Sequence, residues 1–556
     1  MTREARVKAR GGKNSSLLPL WLALGTGILL FLSFPGAVGL WPAAWVALVP
    51  LLVAVRNVRP AAAARLGLLA GMVHYLSLLY WIIIVLGRYG NLPLWVSIPA
   101  LLLLSLYMSS YLALFCVIIN RVWKQREIFV VWAAPLLWVG LDFVRSFLFS
   151  GFPWQDLGYS QYKAILLIQT ADLTGHFGIT FHIVLINSVT ALLFVLWLTS
   201  RTADLAAQPV LTLRLRRAWF YAILPALCII LVVLGYNVIR YKQVSGVIAD
   251  SPKMKIAVVQ GNIEQDQKWS PAMRLATIDI YKKLSEQALA LKDGPPTLLV
   301  WPETALPFLI SDNPYYHRLK NALILREKIW LLSGAPFYKY IEDKKSSGSR
   351  AVQSYNSAYL FTPEGKIAGR YDKQHLVPFG EYVPFSDYFS LPGPLVENIG
   401  NFSSGKAVRP LACQGAAIGV LICFESIFPK LARDWTASGA NLLVNITNDA
   451  WFGRSSAPWQ HLSMSVFRAV ENRRSLARSA NTGISAIVDP LGRIYGTSPL
   501  FQPFYQVADV PLLQAKTIFV DFGYHFGLLC LLASIPFVLL LREKKHKEMR
   551  CNPLTR

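Results

Sequence analysis

Ala416-Ala417-Ile418-Gly419-Val420-Leu421-Ile422-Cys423-Phe424-Glu425 is a continuous apolar run that stops on a thiol and a carboxylate. An unbroken run of small and branched residues suits a strand covered on both faces, as in the parallel sheets of α/β proteins. Working outward, the region from about Lys253 to Leu513 repeats this pattern. Further strands are expected at Lys255 to Gln260, Thr297 to Trp301, Trp330 to Gly334, Ser357 to Phe361, Asn441 to Ile446 and Ile484 to Val488. Helices are expected at Met273 to Leu291, Tyr315 to Lys328 and Trp459 to Ser475. Strands alternating with helices predict an α/β domain or an α-β-β-α sandwich. Leu298-Leu299-Val300 runs into Glu303 as the opening run ends on Cys423, and open α/β sheets place ligand sites at such carboxyl ends. The segment Glu342 to Arg350, with its Lys, Ser and Gly, reads as a solvated loop.

Outside this region the chain is built for lipid. Its 556 residues are 54% hydrophobic and 12% aromatic with a mean hydropathy of +0.41, too apolar for an ordinary soluble enzyme. About 20 apolar residues in a helix cross the hydrocarbon core. Eight windows are candidates, near 17–34, 39–55, 66–86, 94–119, 128–148, 177–199, 218–239 and 522–541. Seven precede the polar region and one follows it. The expected division is a membrane domain over 1–250, an α/β domain over 251–515, and a last span with its tail over 516–556. The fifth window contains Asp142 and Arg145, charges that hydrocarbon tolerates only when they are paired or face a polar cavity.

A net charge of +24 invites a nucleic-acid reading, but the basic residues fall on alternate loops. The N-terminal tail (Arg3, Arg6, Lys8, Arg10, Lys13), three same-side loops (Arg56, Arg59, Arg65; Arg121, Lys124, Arg126; Arg201, Arg214, Arg216, Arg217) and the C-terminal tail (Arg542, Lys544, Lys545, Lys547, Arg550, Arg556) hold 21 basic residues against 5 acidic ones, a net +16. The opposite loops, Pro35 to Pro42 and Gly87 to Pro93, hold Arg88 alone. This is the positive-inside distribution. It sets both termini in the cytoplasm, puts the α/β domain outside after seven spans, and removes nucleic acid from the expected partners. Basic residues precede the first span as in a signal peptide, but no small-residue cleavage site follows, so the span is expected to stay.

The six cysteines, Cys116, Cys228, Cys413, Cys423, Cys530 and Cys551, have no CxxC spacing, which argues against a zinc site or a disulfide framework. A bridge between Cys413 and Cys423 stays open by counting alone, but it would consume the residue best placed as a nucleophile.

Three segments join a reactive side chain to Pro or Gly scaffolding: Trp301-Pro302-Glu303-Thr304, Asp372-Lys373 through Pro378-Phe379-Gly380-Glu381, and Ile422-Cys423-Phe424-Glu425. A carboxylate, an amine and a thiol are what a thioester mechanism requires. Free cysteine has a pKa of about 8.5 and needs a base or cation to be nucleophilic at neutral pH. Glu303 can take the proton, and Lys373 can stabilise thiolate and oxyanion. Singly, Cys423 reads as a core thiol, Glu303 as a helix cap, and Lys373 or Glu381 as a surface charge.

The order Glu303, Lys373, Cys423, each in its motif, resembles the nitrilase or carbon-nitrogen hydrolase superfamily. Val259-Gln260-Gly261-Asn262 with Trp269, Asn445 to Gly453 leading to Pro458-Trp459-Gln460-His461, and Arg478, Asn481, Gly483 and Ser485 are similar to the apolipoprotein N-acyltransferase branch. So are Leu32-Ser33-Phe34-Pro35, Gly151-Phe152-Pro153-Trp154 and Gly158-Tyr159-Ser160-Gln161 in the membrane half. Phe424 stands where that branch commonly has tyrosine, and Asp142 where it has glutamate. The resemblance implies a bacterial inner-membrane acyltransferase with the catalytic residues Glu303, Lys373 and Cys423, supported by Glu381, Glu425, Phe424 and Trp269. Its donor is a phospholipid such as phosphatidylethanolamine, its acceptor the α-amine of a diacylglyceryl-cysteine on an apolipoprotein. It implies no cofactor and no metal. The alternatives are a membrane-tethered amidase, in which water resolves the thioester, and, more distantly, a scaffold domain on a transporter.

Overall fold

The computed structural model describes residues 17–36, 38–202, 208–311, 313–342, 350–382, 402–406 and 409–539. The basic terminal tails, Cys551 and most of the expected solvated loop lie outside them.

In the membrane half the main helices are α1 (Leu18–Ser33), α2 (Pro60–Leu78), α3 (Leu94–Arg126), α4 (Val130–Arg145), α5 (Ala171–Thr202) and α6 (Leu224–Asp250). Four helical stretches are long and apolar enough to cross a membrane: Pro60–Leu78, Leu94–Arg145, Ala171–Arg201 and Thr212–Asp250. Leu18–Ser33, Trp41–Ala54 and Gly523–Leu539 are apolar but shorter. The windows near 94–119 and 128–148 form one stretch, joined by the 3₁₀ turn Glu127–Phe129. The window near 39–55 is broken into a 3₁₀ turn, Trp41–Trp45, and a short helix, Val49–Ala54. Pro42 and Pro50 each sit in the first turn of a new piece, where a missing N–H costs nothing, and neither can continue the piece before it. Trp95, Leu103, Leu231 and Val232 point outward as exposed large apolar side chains, as a lipid-facing surface requires. Asp142 and Arg145 are buried and paired at 2.9 Å, one turn apart on α4.

The polar region folds into two six-stranded sheets. The first contains β1 (Lys253–Gln260), β2 (Leu298–Val300), β3 (Trp330–Glu342), β4 (Arg350–Phe361), β5 (Ile367–Asp372) and β12 (Phe504–Pro511), in the order β12-β1-β2-β3-β4-β5. The second contains β6 (Leu411–Cys413), β7 (Ala416–Ile422), β8 (Leu442–Thr447), β9 (Ser475–Ala480), β10 (Ala486–Val488) and β11 (Ile494–Thr497), in the order β11-β10-β9-β8-β7-β6. In each sheet three parallel strands, β1, β2, β3 and β7, β8, β9, lie between antiparallel flanks. Three of the parallel strands, β2, β7 and β8, are the mainly apolar ones, because both of their faces are covered. Helix α7 (Met273–Leu289) packs on β1 and β12; α8 (Pro429–Ala437) and α9 (Ala457–Asn472) pack on β7 and β9. The chain returns to the membrane half through α10 (Phe526–Leu539).

Several strands escaped the sequence reading. Strand β9 reads Ser-Leu-Ala-Arg-Ser-Ala yet is buried throughout. Its polar groups have partners: Ser475 Oγ donates to the Pro511 carbonyl at 2.7 Å and Ser479 Oγ to the Val259 carbonyl at 2.8 Å, which also ties the two sheets together. Burial of such groups is tolerated only with these bonds, and a hydropathy pattern does not register them. The helix expected through Ser475 stops at Asn472. Arg473 takes a left-handed φ of 49°, and Ser475 opens β9.

The halves are joined by buried polar contacts. Asp172, at the start of α5, accepts from Tyr236 at 2.8 Å and Arg240 at 2.6 Å on α6, and from Arg473 Nε at 3.0 Å. Gln460 Oε1 on α9 accepts from the indoles of Trp81 at 3.1 Å and Trp154 at 2.8 Å. Asp172→Ala removes the carboxylate from the buried Arg473 guanidinium, which keeps only its neutral acceptors on Gln169 and Pro490, and the expected cost is about 3 kcal/mol, because a buried charge loses its counter-charge. Thermal unfolding of the detergent-solubilised variant measures this; an unchanged midpoint would mean that the clasp contributes nothing.

Candidate active site

Glu303, Lys373 and Cys423, which the chain separates by 70 and 50 residues, meet at the carboxyl ends of β2, β5 and β7. Lys373 Nζ, 1% exposed, donates to Glu381 Oε1 at 2.9 Å and lies 3.8 Å from Glu303 Oε1. Asn356 Nδ2, from β4, donates to both carboxylates, at 2.7 Å to Glu303 Oε1 and 2.9 Å to Glu381 Oε1. Glu381 Oε2 accepts from the Val377 N–H at 2.9 Å. Among the described residues, Glu303 Oε2 is buried without a hydrogen-bond partner, the state expected of an oxygen that receives a proton.

Cys423 follows β7 with a φ of 52°, in the left-handed region that a residue with a β-carbon occupies at a cost of roughly 1–3 kcal/mol. The residue as a whole is half-buried, and among the described residues neither Cys413 nor Cys423 forms a disulfide. Two groups hold this turn. Glu425 Oε2 accepts from the Ile422 N–H at 2.7 Å, while Oε1 accepts from Tyr371 Oη at 2.8 Å, Gln374 N at 2.7 Å and His375 N at 3.1 Å. Glu425 therefore pins the segment after Lys373 to the end of β7. His461 Nε2 lies 3.1 Å from the Cys423 carbonyl oxygen, and His461 Nδ1 lies 3.0 Å from Asp449, whose other oxygen accepts from Arg478 at 2.7 Å.

Burial works against the Lys373 ammonium, but the carboxylates of Glu381 and Glu303 more than offset it and hold its pKa above the ordinary lysine value. Burial, then the Glu303 carboxylate, pushes the Cys423 thiol up to about 12, with Lys373 pulling the other way. The resting thiol is protonated. Any reaction of the thiol at neutral pH therefore needs a base, and Glu303 is a carboxylate whose charge acts on it.

The supporting residues separate. Glu381 and Glu425 belong to the cluster. Phe424 stacks 6.5 Å from both Phe152 and Trp154, so the residue after the thiol touches the membrane half. Trp269 is 44% exposed and stands outside the ion cluster; its neighbour Lys268 is inside, 1% exposed, with Nζ donating to the Glu303 carbonyl at 3.0 Å. Lys268 and Asn356 were not singled out from the sequence. Neither sits in a Pro- or Gly-framed motif, and their partners lie 35 and 53 residues away.

Residues 26–189 match the apolipoprotein N-acyltransferase N-terminal domain, and residues 255–517 match the carbon-nitrogen hydrolase family. The chain is 42% identical over 524 residues to an apolipoprotein N-acyltransferase of Geobacter metallireducens, covering 94% of this chain and 95% of the relative. It is 29% identical over 559 residues to one of Chlorobaculum tepidum (94% and 98% covered) and 31% identical over 442 residues to one of Brucella melitensis (79% and 78% covered). The polar half thus has a nitrilase-like fold, and the apolar half carries helices able to span a membrane.

Gly334, on β3, lets the Glu303 segment approach closely. A β-carbon there would lie 2.3 Å from Thr304 N and 2.7 Å from Glu303 Cα, both backbone atoms that cannot rotate away. Gly334→Ala is expected to cost about 1–3 kcal/mol in stability. By moving Glu303 it is also expected to slow turnover on the order of a hundredfold. Thermal unfolding and turnover, measured together, check it; a fully active variant would mean that the position of Glu303 is not critical.

Proposed function

Because the chain belongs to the apolipoprotein N-acyltransferase family, we propose that Cys423, Glu303 and Lys373 carry an acyl chain from a phospholipid to the N-terminal amine of a diacylglyceryl apolipoprotein. The observation that carries this reading is the Glu303–Lys373–Glu381 cluster at the strand ends together with Cys423, half-buried in a left-handed turn.

The protein is an acyltransferase, and its own residues account for two half-reactions. Glu303 Oε2 takes the thiol proton as Cys423 Sγ attacks an ester carbonyl of the donor, phosphatidylethanolamine in this reading. The tetrahedral oxyanion is stabilised by Lys373 and by a backbone N–H beside Phe424. Collapse breaks the ester C–O bond, the departing lysophospholipid oxygen takes the proton from Glu303, and a thioester remains. The acceptor α-amine then attacks the thioester, Glu303 takes its proton, an amide forms, and Cys423 leaves as a thiolate that is reprotonated. Glu381 holds Lys373, and Glu425 holds the turn around Cys423. Phe424 and Trp269 belong to the substrate-facing side in this reading.

The architecture proposed with it has seven spans over 1–250, an α-β-β-α sandwich over 251–515, and an eighth span with its tail over 516–556. The Ser479–Val259 bond between the sheets supports the sandwich, and the alternate placement of basic loops supports cytoplasmic termini and a periplasmic catalytic domain in a bacterial inner membrane. Whole-length relatives named as acyltransferases favour amine transfer over the amidase alternative.

Reporter fusions after Lys253 and after Arg550 test the topology. The first is expected to report the periplasm and the second the cytoplasm; a cytoplasmic signal at Lys253 would overturn the arrangement.

Given phospholipid alone, the protein is expected to release lysophospholipid in a burst of about one equivalent per site, and intact mass is expected to show an acyl group on Cys423. A diacylglyceryl peptide with a free amine should discharge it, and the amine-blocked peptide should not. Cys423→Ala should abolish both steps, and Cys423→Ser nearly so, because a hydroxyl ionises far less readily than a thiol. Continuous fatty-acid release without an amine would make water the acceptor.

A further inference from the structure

The ion cluster contains a cation that the three-residue mechanism leaves unused. We propose that Lys268 is a positioning residue, a second buried ammonium whose charge allows Cys423 to ionise beside the Glu303 carboxylate. This rests on Cys423 being the nucleophile.

Lys268 lies on the turn between β1 and α7, with its N–H donating to the Glu264 carbonyl at 3.1 Å. Its side chain is 1% exposed, and Nζ donates to the carbonyl oxygen of Glu303 at 3.0 Å. A neutral donor would serve for that bond. Burying a full ammonium is far costlier than burying an amide, so its presence calls for a use of the charge.

The charges around the thiol supply one. Glu303 and Glu381 both lie within 4 Å of Lys373 Nζ, so the cluster holds two carboxylates for one ammonium. Glu425, pushed up to about 7 by burial, adds further negative charge as pH rises. Asp449, which also faces the thiol, is balanced by Arg478, and His461 has its pKa lowered by burial and by Arg478, so it adds no cation. With Lys373 alone, a thiolate or oxyanion would form in a site that is already net negative. Lys268 restores the balance. The titratable groups that face it are Glu303 and Cys423; burial draws its pKa down to about 8, while those two oppose the fall, so it keeps its proton at neutral pH.

The test is the pH profile of Cys423 alkylation by iodoacetamide in the full-length protein in detergent, read by mass spectrometry on the peptide that contains Cys423. Cys551, in the basic C-terminal tail, serves as the internal control. Lys268→Gln keeps a donor for the Glu303 carbonyl but drops the charge, Lys268→Met drops both, and Lys268→Arg keeps both. The Gln and Met variants are expected to alkylate about tenfold more slowly at neutral pH, the difference closing as pH rises above about 8, where unsubstituted Lys268 loses its own charge. The Cys551 profile should stay unchanged, and the Arg variant should match the unsubstituted protein at neutral pH. If the Met variant fails to fold, the Gln and Arg pair still decides. A Lys268→Gln profile that superimposes on the unsubstituted one overturns the proposal, leaving Lys268 as a hydrogen-bond donor only. An unsubstituted Cys423 that does not alkylate at any pH would bring down the nucleophile reading itself, a separate and distinguishable failure.

Discussion

A buried ammonium is tolerable only where carboxylates meet it, and that constraint organises this protein around Lys373. At 1% exposure its Nζ has exchanged water for Glu381 at 2.9 Å and Glu303 at 3.8 Å. Each partner is itself held: Asn356 bonds both carboxylates, and the Val377 N–H holds the second oxygen of Glu381. Among the described residues the remaining oxygen of Glu303 is left without a partner, so the network that fixes this carboxylate also leaves it one open acceptor position. The two sheets exist, for function, to bring the ends of β2, β5 and β7 to this cluster.

The second constraint is that the thiol turn packs on the membrane half. Phe424 stacks against Phe152 and Trp154, and Trp154 also donates to Gln460, the residue before His461, which contacts the Cys423 carbonyl. The membrane half therefore reaches the turn that carries the thiol through rigid aromatic contacts. Asp172, with Arg240 and Arg473, fixes the same relation from the other side of the junction. Such contacts are costly to break because each leaves a buried polar group without its partner.

Much of this was legible from local pattern. Strand Ala416–Ile422 was read with the bounds it has, because an apolar run with both faces covered looks the same wherever it is packed. Strand β9 was missed because its serines and arginine are buried by virtue of partners elsewhere in the chain. The window near 39–55 was read as one span because hydropathy averages over Pro42 and Pro50, which break the helix by geometry.

The sequence by itself determined that the chain is a membrane protein with a nitrilase-like domain, and which thiol, carboxylate and lysine stand in motifs fit for acyl transfer. The membrane and α/β readings are properties of composition and short periodicity, and the nitrilase-like reading rests on the resemblance of local motifs to a known family. Only the tertiary structure decided which charges face one another: that Asn356 bridges Glu303 and Glu381, that Glu425 locks the thiol turn, that Trp269 is exposed while Lys268 is buried, and that Arg473 is held by Asp172. The physical reason is that apolar burial is a property of each segment, whereas pairing a buried charge depends on partners that lie up to 301 residues away and come within about 3 Å only when the chain has folded.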